Sequence, residues 1–165
     1  MNWLKYILVF LVLSQTSCGV YSFSGASVPK EIKTIAIEYI SNKAPNSAAS
    51  LDRIFNQELK NKLVRDAGLK VVDQDGDYLV KGYISNYVIT PQASTNGTFS
   101  STYRLTISVQ IEFYDFKTEK KTTWNQSFDN FEVYEGDITS REETLITDIS
   151  KNISNLIFTK IFSTW

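Results

Sequence analysis

The residue with the most evident chemistry is Cys18, the only cysteine in the chain. It follows a charged start at residues 1–5 and a continuous apolar run at residues 6–13. Small and polar residues ending at Ser17 then lead to the cysteine. This order is typical of a secretory signal peptide. A cysteine in that position predicts a bacterial lipoprotein signal, cleaved between Ser17 and Cys18, in which the thiol is lipidated and becomes the mature N-terminus.

One position departs from the usual lipoprotein pattern, because Gln15 stands three residues before the cysteine, where Leu is common. An ordinary signal peptide with a chance cysteine, and a buried N-terminal strand, are the alternatives. We favour lipidation because an unpaired thiol is a liability in an oxidising compartment. Two or three acyl chains hold a protein at a membrane leaflet. The absence of an acidic run after Cys18 favours a location that faces the periplasm.

The absence of histidine limits enzymatic chemistry. With Cys18 used in the anchor, the usual nucleophile–base pairs and zinc sites cannot form. Residues 73–77 resemble a calcium loop, but the twelfth position from Asp73 is Ile84, where a calcium loop needs a bidentate Glu. We interpret this segment as a tight turn that contains Asp-Gly. The sequence therefore predicts no enzyme, no metal site and no cofactor.

Charge also excludes a class of partners. The chain has 17 basic and 18 acidic residues, and Lys5 is the only charged residue of the segment that the signal peptide would remove. A domain that binds nucleic acid is expected to present a strongly basic face. We therefore predict no nucleic-acid partner. Residues 18–30 are interpreted as a lipidated, extended tether, and residues 31–165 as a single domain.

The first half of the domain is predicted as strand, helix and strand. Residues 32–40 are rich in β-branched residues and predict a strand, and a turn-rich break then offers Asn46 or Ser47 as an N-cap. A helix follows, because apolar residues recur at three- and four-residue spacing and Gly68 supplies a stop. Its apolar stripe consists of Leu51, Ile54, Phe55, Leu59, Leu63 and Val64. Residues 69–72 form a short second strand.

The second half is predicted as three long strands and a helix. The strands cover residues 78–90, 103–116 and 121–131, and strict alternation in the middle one places one face in a core. Trp124 and Phe128 of the last strand share that face. Ser140 and Glu143 form a capping box before the second helix, whose apolar stripe includes Leu145, Ile146, Ile149, Ile153, Leu156, Ile157 and Ile161. The predicted fold is α+β: a two-layer sandwich of two helices packed on a mixed, mainly antiparallel sheet of four to five strands.

This order of anchor, strands and helices is similar to the LptE family of lipopolysaccharide (LPS)-assembly lipoproteins, over nearly all of the mature chain. The residues that support the resemblance are Cys18-Gly19-Val20-Tyr21, Val28-Pro29, Leu69-Lys70-Val71-Val72, Tyr103-Arg104-Leu105 and Ser127-Phe128-Asp129-Asn130. The resemblance implies an outer-membrane lipoprotein, facing the periplasm, that partners and plugs the LptD β-barrel and assists LPS assembly. It implies no covalent chemistry.

Candidate contact residues follow from the strands. Tyr83 and Tyr87, placed on one face of the first long strand, suit a protein interface because Tyr combines a large area with a polar tip. They equally suit the finishing of a sheet. The loops at residues 91–102 and 132–139 are expected at one end of the sheet. Characterised relatives contact LPS through basic residues there, but these loops are neutral and acidic here. Arg104 and Arg141 are the nearest cations for a lipid phosphate.

Two other functions fit the same sequence. One is a pilotin or assembly lipoprotein for a different outer-membrane pore, which would share the anchor and the absence of chemistry. The other is a carrier of a small apolar ligand, with a cavity between sheet and helices. The narrow apolar stripes of both helices argue against the carrier, because packing on one sheet face would use them completely.

Overall fold

The structure is a computed structural model that describes residues 28–92, 102–117 and 123–163. The signal peptide and most of the tether therefore lie outside the described residues. The element order confirms the α+β class, with two helices and a sheet of six strands, slightly more than expected. The elements are β1 (Thr34–Ile37), β2 (Ser41–Asn42), α1 (Leu51–Ala67), β3 (Lys70–Val72), β4 (Tyr78–Gln92), β5 (Thr102–Asp115), β6 (Thr123–Glu135) and α2 (Glu142–Phe162).

The sheet is mixed, in the order β3-β1-β4-β5-β6. β1 pairs parallel with both β3 and β4, and β2 continues along β4 beyond the end of β1. β4, β5 and β6 form an antiparallel meander. The meander brings Gln92, Thr102 and Glu135 side by side, and we call this edge the loop end of the sheet. The ends of the strands thus lie together as predicted, although residues 93–101 of the loop are outside the described part.

Alternation in β5 defines the core. Every second side chain from Leu105 to Phe113 is buried, and the residues between them face the other side of the sheet. β6 contributes Phe128, with Trp124 packed against the core beside it, as the sequence predicted. Since both helices contact this side of the sheet, the domain has one apolar layer between sheet and helices.

The predicted first strand, residues 32–40, is shorter in the structure. The strand ends at Ile37, and the Asn56 side chain of α1 accepts the Ile40 N–H and donates to the Ile40 carbonyl, at 2.9 Å in both cases. Those backbone groups are therefore paired with a helix and not with a neighbouring strand. The short strand β2 lies in the segment that was predicted as a turn-rich break.

The helix starts also differ from the prediction. The N-cap of α1 is Ser50, because the Ser47 hydroxyl already binds Asn42 and the Ala44 carbonyl in the preceding turn. α2 begins at Glu142 with Arg141 at the N-cap position, so the capping box of Ser140 and Glu143 is wrong. Glu143 lies 3.3 Å from Arg53 of α1 instead. The stop at Gly68 is confirmed, because this residue is the C-cap with a φ of 65°.

The apolar stripes are largely confirmed, with two exceptions. Val64 of α1 and Leu156 of α2 are exposed. The remaining stripe residues are buried or pack against the core. Aromatic contacts add to this core, such as that of Tyr78 with Phe113, whose ring centroids lie 4.9 Å apart. Both helices thus use their apolar stripes mainly to pack against the sheet and against each other.

Asp77 joins the parallel half of the sheet to the meander. Its carboxylate accepts the backbone N–H groups of Lys33 and Thr34 at 2.9 and 3.0 Å, and Lys117 lies 3.2 Å away. Hydrogen bonds lower the pKa of Asp77 from 3.8 to about 2, and the largest contribution is that of the Lys33 N–H. Thr34 and Lys117 add to this effect, whereas desolvation of the carboxylate opposes it. Glycine is required at position 76, immediately before Asp77, because a Cβ there would lie 2.5 Å from the Ala36 nitrogen of β1.

We expect Asp77→Asn to lower the free energy of unfolding by about 1.5–3 kcal/mol at neutral pH, the range for hydrogen bonds to a charged group. Because the folded pKa is depressed, the stability from Asp77 is present above its unfolded pKa and is lost as the pH falls from about 4 to about 2. Urea denaturation across this pH range measures both effects. The exposed Asp73→Asn is the matched control, and an equal loss in both variants would contradict this role of Asp77.

Candidate partner-binding surface

β4, β5 and β6 have one face toward both helices and one face that points away from them. No described helix covers the second face, which we call the uncovered face. It carries the polar residues of β5 from Arg104 to Tyr114 at every second position, together with residues of its two neighbours. Several of those neighbours are apolar and exposed. This uncovered face is a regular surface with exposed apolar residues, on which a partner can dock.

One patch of this face lies near the loop end and consists of Val88, Arg104, Phe131 and Val133; we call it the Arg104 patch. Val88 and Phe131 flank Thr106 across the three strands, and Val133 pairs with Arg104. Val88, Phe131 and Val133 are 40%, 45% and 48% exposed. The Arg104 guanidinium lies over the Phe131 ring, 4.1 Å from its centroid. The patch therefore combines apolar area with one cation that is held in place by an aromatic ring.

Arg104 is also incompletely paired. Its Nε is buried and has no hydrogen-bond partner among the described residues. A buried donor without a partner is costly. Of the two cations predicted for phosphate contact, Arg104 is the one that lies on the uncovered face, with its guanidinium over the exposed Phe131 ring.

A second cluster lies at the opposite end of the same face. Tyr114 stacks on the exposed Phe116 with ring centroids 6.1 Å apart. Lys81 lies 4.9 Å from the Tyr114 ring and 3.5 Å from Glu112. Aromatic side chains, which are enriched in protein interfaces, thus occur at both ends of the uncovered face.

The predicted placement of Tyr83 and Tyr87 on one face is wrong. A β-bulge between Ile84 and Asn86 inserts Ser85 as an unpaired residue of β4, so Tyr83 pairs with Gln110 but Tyr87 pairs with Ile107. Because an extra residue reverses the side-chain alternation, the two tyrosines lie on opposite faces of the sheet.

Tyr83 remains at the surface, half-buried, with the Lys43 ammonium 4.1 Å from its ring centroid. Tyr87 is buried on the helix side, and its hydroxyl donates to Glu142 Oε1 at 2.5 Å. Burial, and then the hydrogen bond to Glu142, raises the pKa of Tyr87 well above its ordinary value. Tyr87 therefore fastens the start of α2 to β4, whereas Tyr83 belongs to the uncovered face.

Arg141 is exposed at the start of α2, on the helix side of the sheet. The sheet separates it from Arg104, so the structure does not bring the two cations together. Ser17 and Cys18 lie outside the described residues. The loop after β6 turns at Gly136, whose φ is 76°, and the Asp137 carboxylate accepts the Thr139 N–H at 3.1 Å. Glu135 and Asp137 make this loop acidic.

The described residues contain no group of three or more acidic, histidine or cysteine side chains that could bind a metal ion. They also contain no helix that is long and apolar enough to cross a membrane.

Comparison with known proteins agrees with this geometry. The family model of LptE, described as lipopolysaccharide-assembly, matches residues 32–161, which is nearly the whole described domain. The chain belongs to the LptE family. A comparison with curated proteins found no match.

Solved structures share the fold of this LptE-family chain at low sequence identity. The rare lipoprotein B from Shewanella oneidensis is 15% identical, with a TM-score of 0.50, covering 78% of this chain and 93% of that one. The minor lipoprotein from Acinetobacter baumannii is 13% identical, with a TM-score of 0.51 and coverage of 79% and 92%. A lipoprotein B from Nitrosomonas europaea is 14% identical, with a TM-score of 0.53 and coverage of 82% and 84%. These likenesses concern the fold.

The Arg104 patch was missed by the sequence reasoning. The signal was present in β6, where Phe131 and Val133 alternate with polar residues in the opposite phase to Phe128. Two apolar residues out of phase with the core indicate a strand with apolar area on both faces. The predicted strand ended at residue 131, whereas β6 continues to Glu135, and this difference concealed the pattern.

We expect Tyr87→Phe to lower the free energy of unfolding by about 1–2 kcal/mol, because a buried hydrogen bond to a carboxylate is lost. Urea denaturation of the mature chain measures this change. Tyr83→Phe removes the same atom from the opposite face and is expected to change stability by less than about 0.5 kcal/mol. Similar effects of the two substitutions would contradict the opposite placement of the two tyrosines.

Proposed function

We propose that this LptE-family protein is an outer-membrane lipoprotein, anchored through Cys18 and facing the periplasm, that partners and plugs an LptD-type β-barrel and assists LPS assembly. The observation that carries this proposal is the match of the LptE model to residues 32–161, which include both helices almost completely and every strand. The lipoprotein signal of the sequence supplies the anchor. The proposal requires no catalytic group, in keeping with a chain without histidine.

The uncovered face is the proposed contact with the barrel. It provides exposed apolar side chains, half-buried tyrosine and a stacked arginine, which are enriched in protein interfaces. Phe131 and Val133 lie in adjacent positions of this face around Arg104, so a partner that covers the patch would bury all three together. Burial of these side chains would supply free energy of association in proportion to their apolar area.

Direct contact with LPS is a separate part of the proposal. The loops that provide basic residues in relatives are neutral and acidic in this chain, and the structure separates Arg104 from Arg141. Arg104 is therefore the residue we propose for a phosphate of the lipid, since its guanidinium lies on the uncovered face over the exposed Phe131 ring. The barrel contact does not depend on it.

We expect the lipidated, tagged protein to co-purify in stoichiometric amount with an LptD-type barrel from its native outer membrane in mild detergent, as identified by mass spectrometry. Phe131→Asp is expected to lower the amount of barrel recovered at least about tenfold, because it places a charge in the Arg104 patch, which the barrel would bury. Val64→Asp is the matched control, since Val64 is equally exposed but lies on α1. Recovery of the lipoprotein alone, or with a secretin-type ring, would reject the proposed partner.

We expect the N-terminal peptide of the mature protein to begin at Cys18 and to carry covalent acyl chains, measured by mass spectrometry of the membrane fraction. Cys18→Ala is expected to abolish both the acyl mass and the cleavage, because the thiol is the acceptor. Ser17→Ala keeps a small residue at the cleavage position and is expected to be processed normally. An unmodified wild-type peptide that begins at another residue would contradict the anchor.

A further inference from the structure

β6 forms one edge of the sheet along its whole length. It runs from Thr123 to Glu135 and bonds β5 on one side, and no described strand pairs with its other side. An edge strand of this kind presents a row of unpaired N–H and C=O groups to any chain that reaches it. At 13 residues it is far longer than β3, the three-residue strand at the opposite edge.

Several devices that commonly protect an edge strand are absent from β6. It contains no proline, no glycine and no lysine or arginine. Its pairing with β5 is continuous from Thr123 to Glu135, without a bulge that would bend it away. The charged residues of β6 are the carboxylates of Asp129, Glu132 and Glu135, which repel an acidic strand and attract a basic one.

A groove runs beside this edge, between β6 and α2. It measures about 380 Å³, and its lining includes Ser127, Phe128 and Asp129 from β6 together with Leu156 and Lys160 from α2. Leu156 is the residue that departs from the buried stripe of α2, and 45% of it is exposed. In strand addition, backbone hydrogen bonds hold the added segment, and alternate side chains enter such a groove. The groove thus provides an apolar wall for those side chains.

Charge selects the occupant. Asp129, Glu132 and Glu135 of β6, followed by Asp137, are the charged residues between positions 122 and 140, and none is basic. The groove lining contains one carboxylate, Asp129, and one cation, Lys160, so the excess of acidic charge lies along β6 and the residues that follow it. Pairing of β6 with β6 of a second copy would bring two acidic rows together, which is unfavourable. A segment with Lys or Arg is favoured instead.

We propose that β6 accepts, by strand addition, an extended segment of a partner protein in which Lys or Arg alternate with aliphatic residues. The aliphatic side chains enter the groove against Leu156 and Phe128, and the cations lie on the opposite face of the sheet, beside Asp129 and Glu135. The proposal goes beyond the barrel partnership, because it concerns the edge of the sheet and holds for any partner that presents such a segment.

The test uses the full lipidated protein in mild detergent and a capped peptide of alternating Lys and Val as the probe. Hydrogen–deuterium exchange with mass spectrometry is expected to show slower exchange of β6 amides in the presence of the probe. Exchange of β3 amides should be unchanged, and added salt should weaken the effect because charge attraction contributes to binding. Absence of β6 protection at millimolar probe would overturn the proposal.

Two control probes separate backbone pairing from charge. The same peptide with every backbone nitrogen methylated keeps the charge but has no N–H group on either edge to donate to β6, and it is expected not to protect. The same peptide with Glu in place of Lys keeps the backbone and is expected to bind at least about tenfold more weakly, a difference of about 1.4 kcal/mol. Equal protection by the methylated probe would reject strand addition. Equal protection by the acidic probe would reject charge selection, and either result overturns the proposal.

A matched pair of variants tests the residue placement. Asp129→Lys is expected to weaken binding of the lysine probe about tenfold, since it places like charges beside each other. Asp73→Lys makes the same charge change at an exposed position after β3 and is expected to have no effect. Equal effects of the two variants would overturn the placement, and a dimer in sedimentation that protects β6 without any probe would show that a second copy is the occupant.

Discussion

The structure depends on the burial of a single face of β5. Leu105, Ile107, Val109 and Ile111 are completely buried, and the polar residues between them face the other side. Because this alternation is strict, both helices must pack on the same side of the sheet. The opposite side of the meander is left as a regular, uncovered surface. The core and the proposed interface are therefore two consequences of one period-two pattern.

The bulge in β4 divides the functions of its tyrosines. Before Ser85 the strand places Tyr83 on the uncovered face, and after it the strand places Tyr87 in the core. Without the extra residue, both rings would lie on one face, and Glu142 would lose the hydroxyl that holds the start of α2. One inserted residue thus couples the meander to the helix layer at the loop end of the sheet.

Long periodic segments were predictable from the sequence, because their pattern is repeated many times. β5, the buried stripe of α2 and the stop at Gly68 are examples. Features that depend on one distant contact were not predictable. The break after β1 requires Asn56, 16 residues further along the chain, to reach the Ile40 backbone. The capping box failed similarly, because the Glu143 carboxylate accepts from the Arg53 guanidinium, 90 residues away in sequence, and the helix begins only at Glu142, after Ser140.

The candidate surface was predictable only in its composition. Tyrosine and arginine are residue types enriched in protein interfaces, and the sequence shows both. Their grouping could not be foreseen, because a bulge reverses the side of Tyr87 and the sheet separates Arg141 from Arg104. The Arg104 patch in turn depends on the four residues by which β6 exceeds the predicted strand.

The two proposed binding surfaces share β6. Phe131 and Val133 face the uncovered side, while the backbone of the same strand forms the free edge. A segment added to this edge would extend the meander by one strand, and its outward side chains would lie beside Phe131 and Val133. The uncovered face would become wider by about 4.8 Å, the spacing between neighbouring strands. Binding at the edge would therefore enlarge the surface available to a partner on the face, so that the two contacts favour each other without any change in the core.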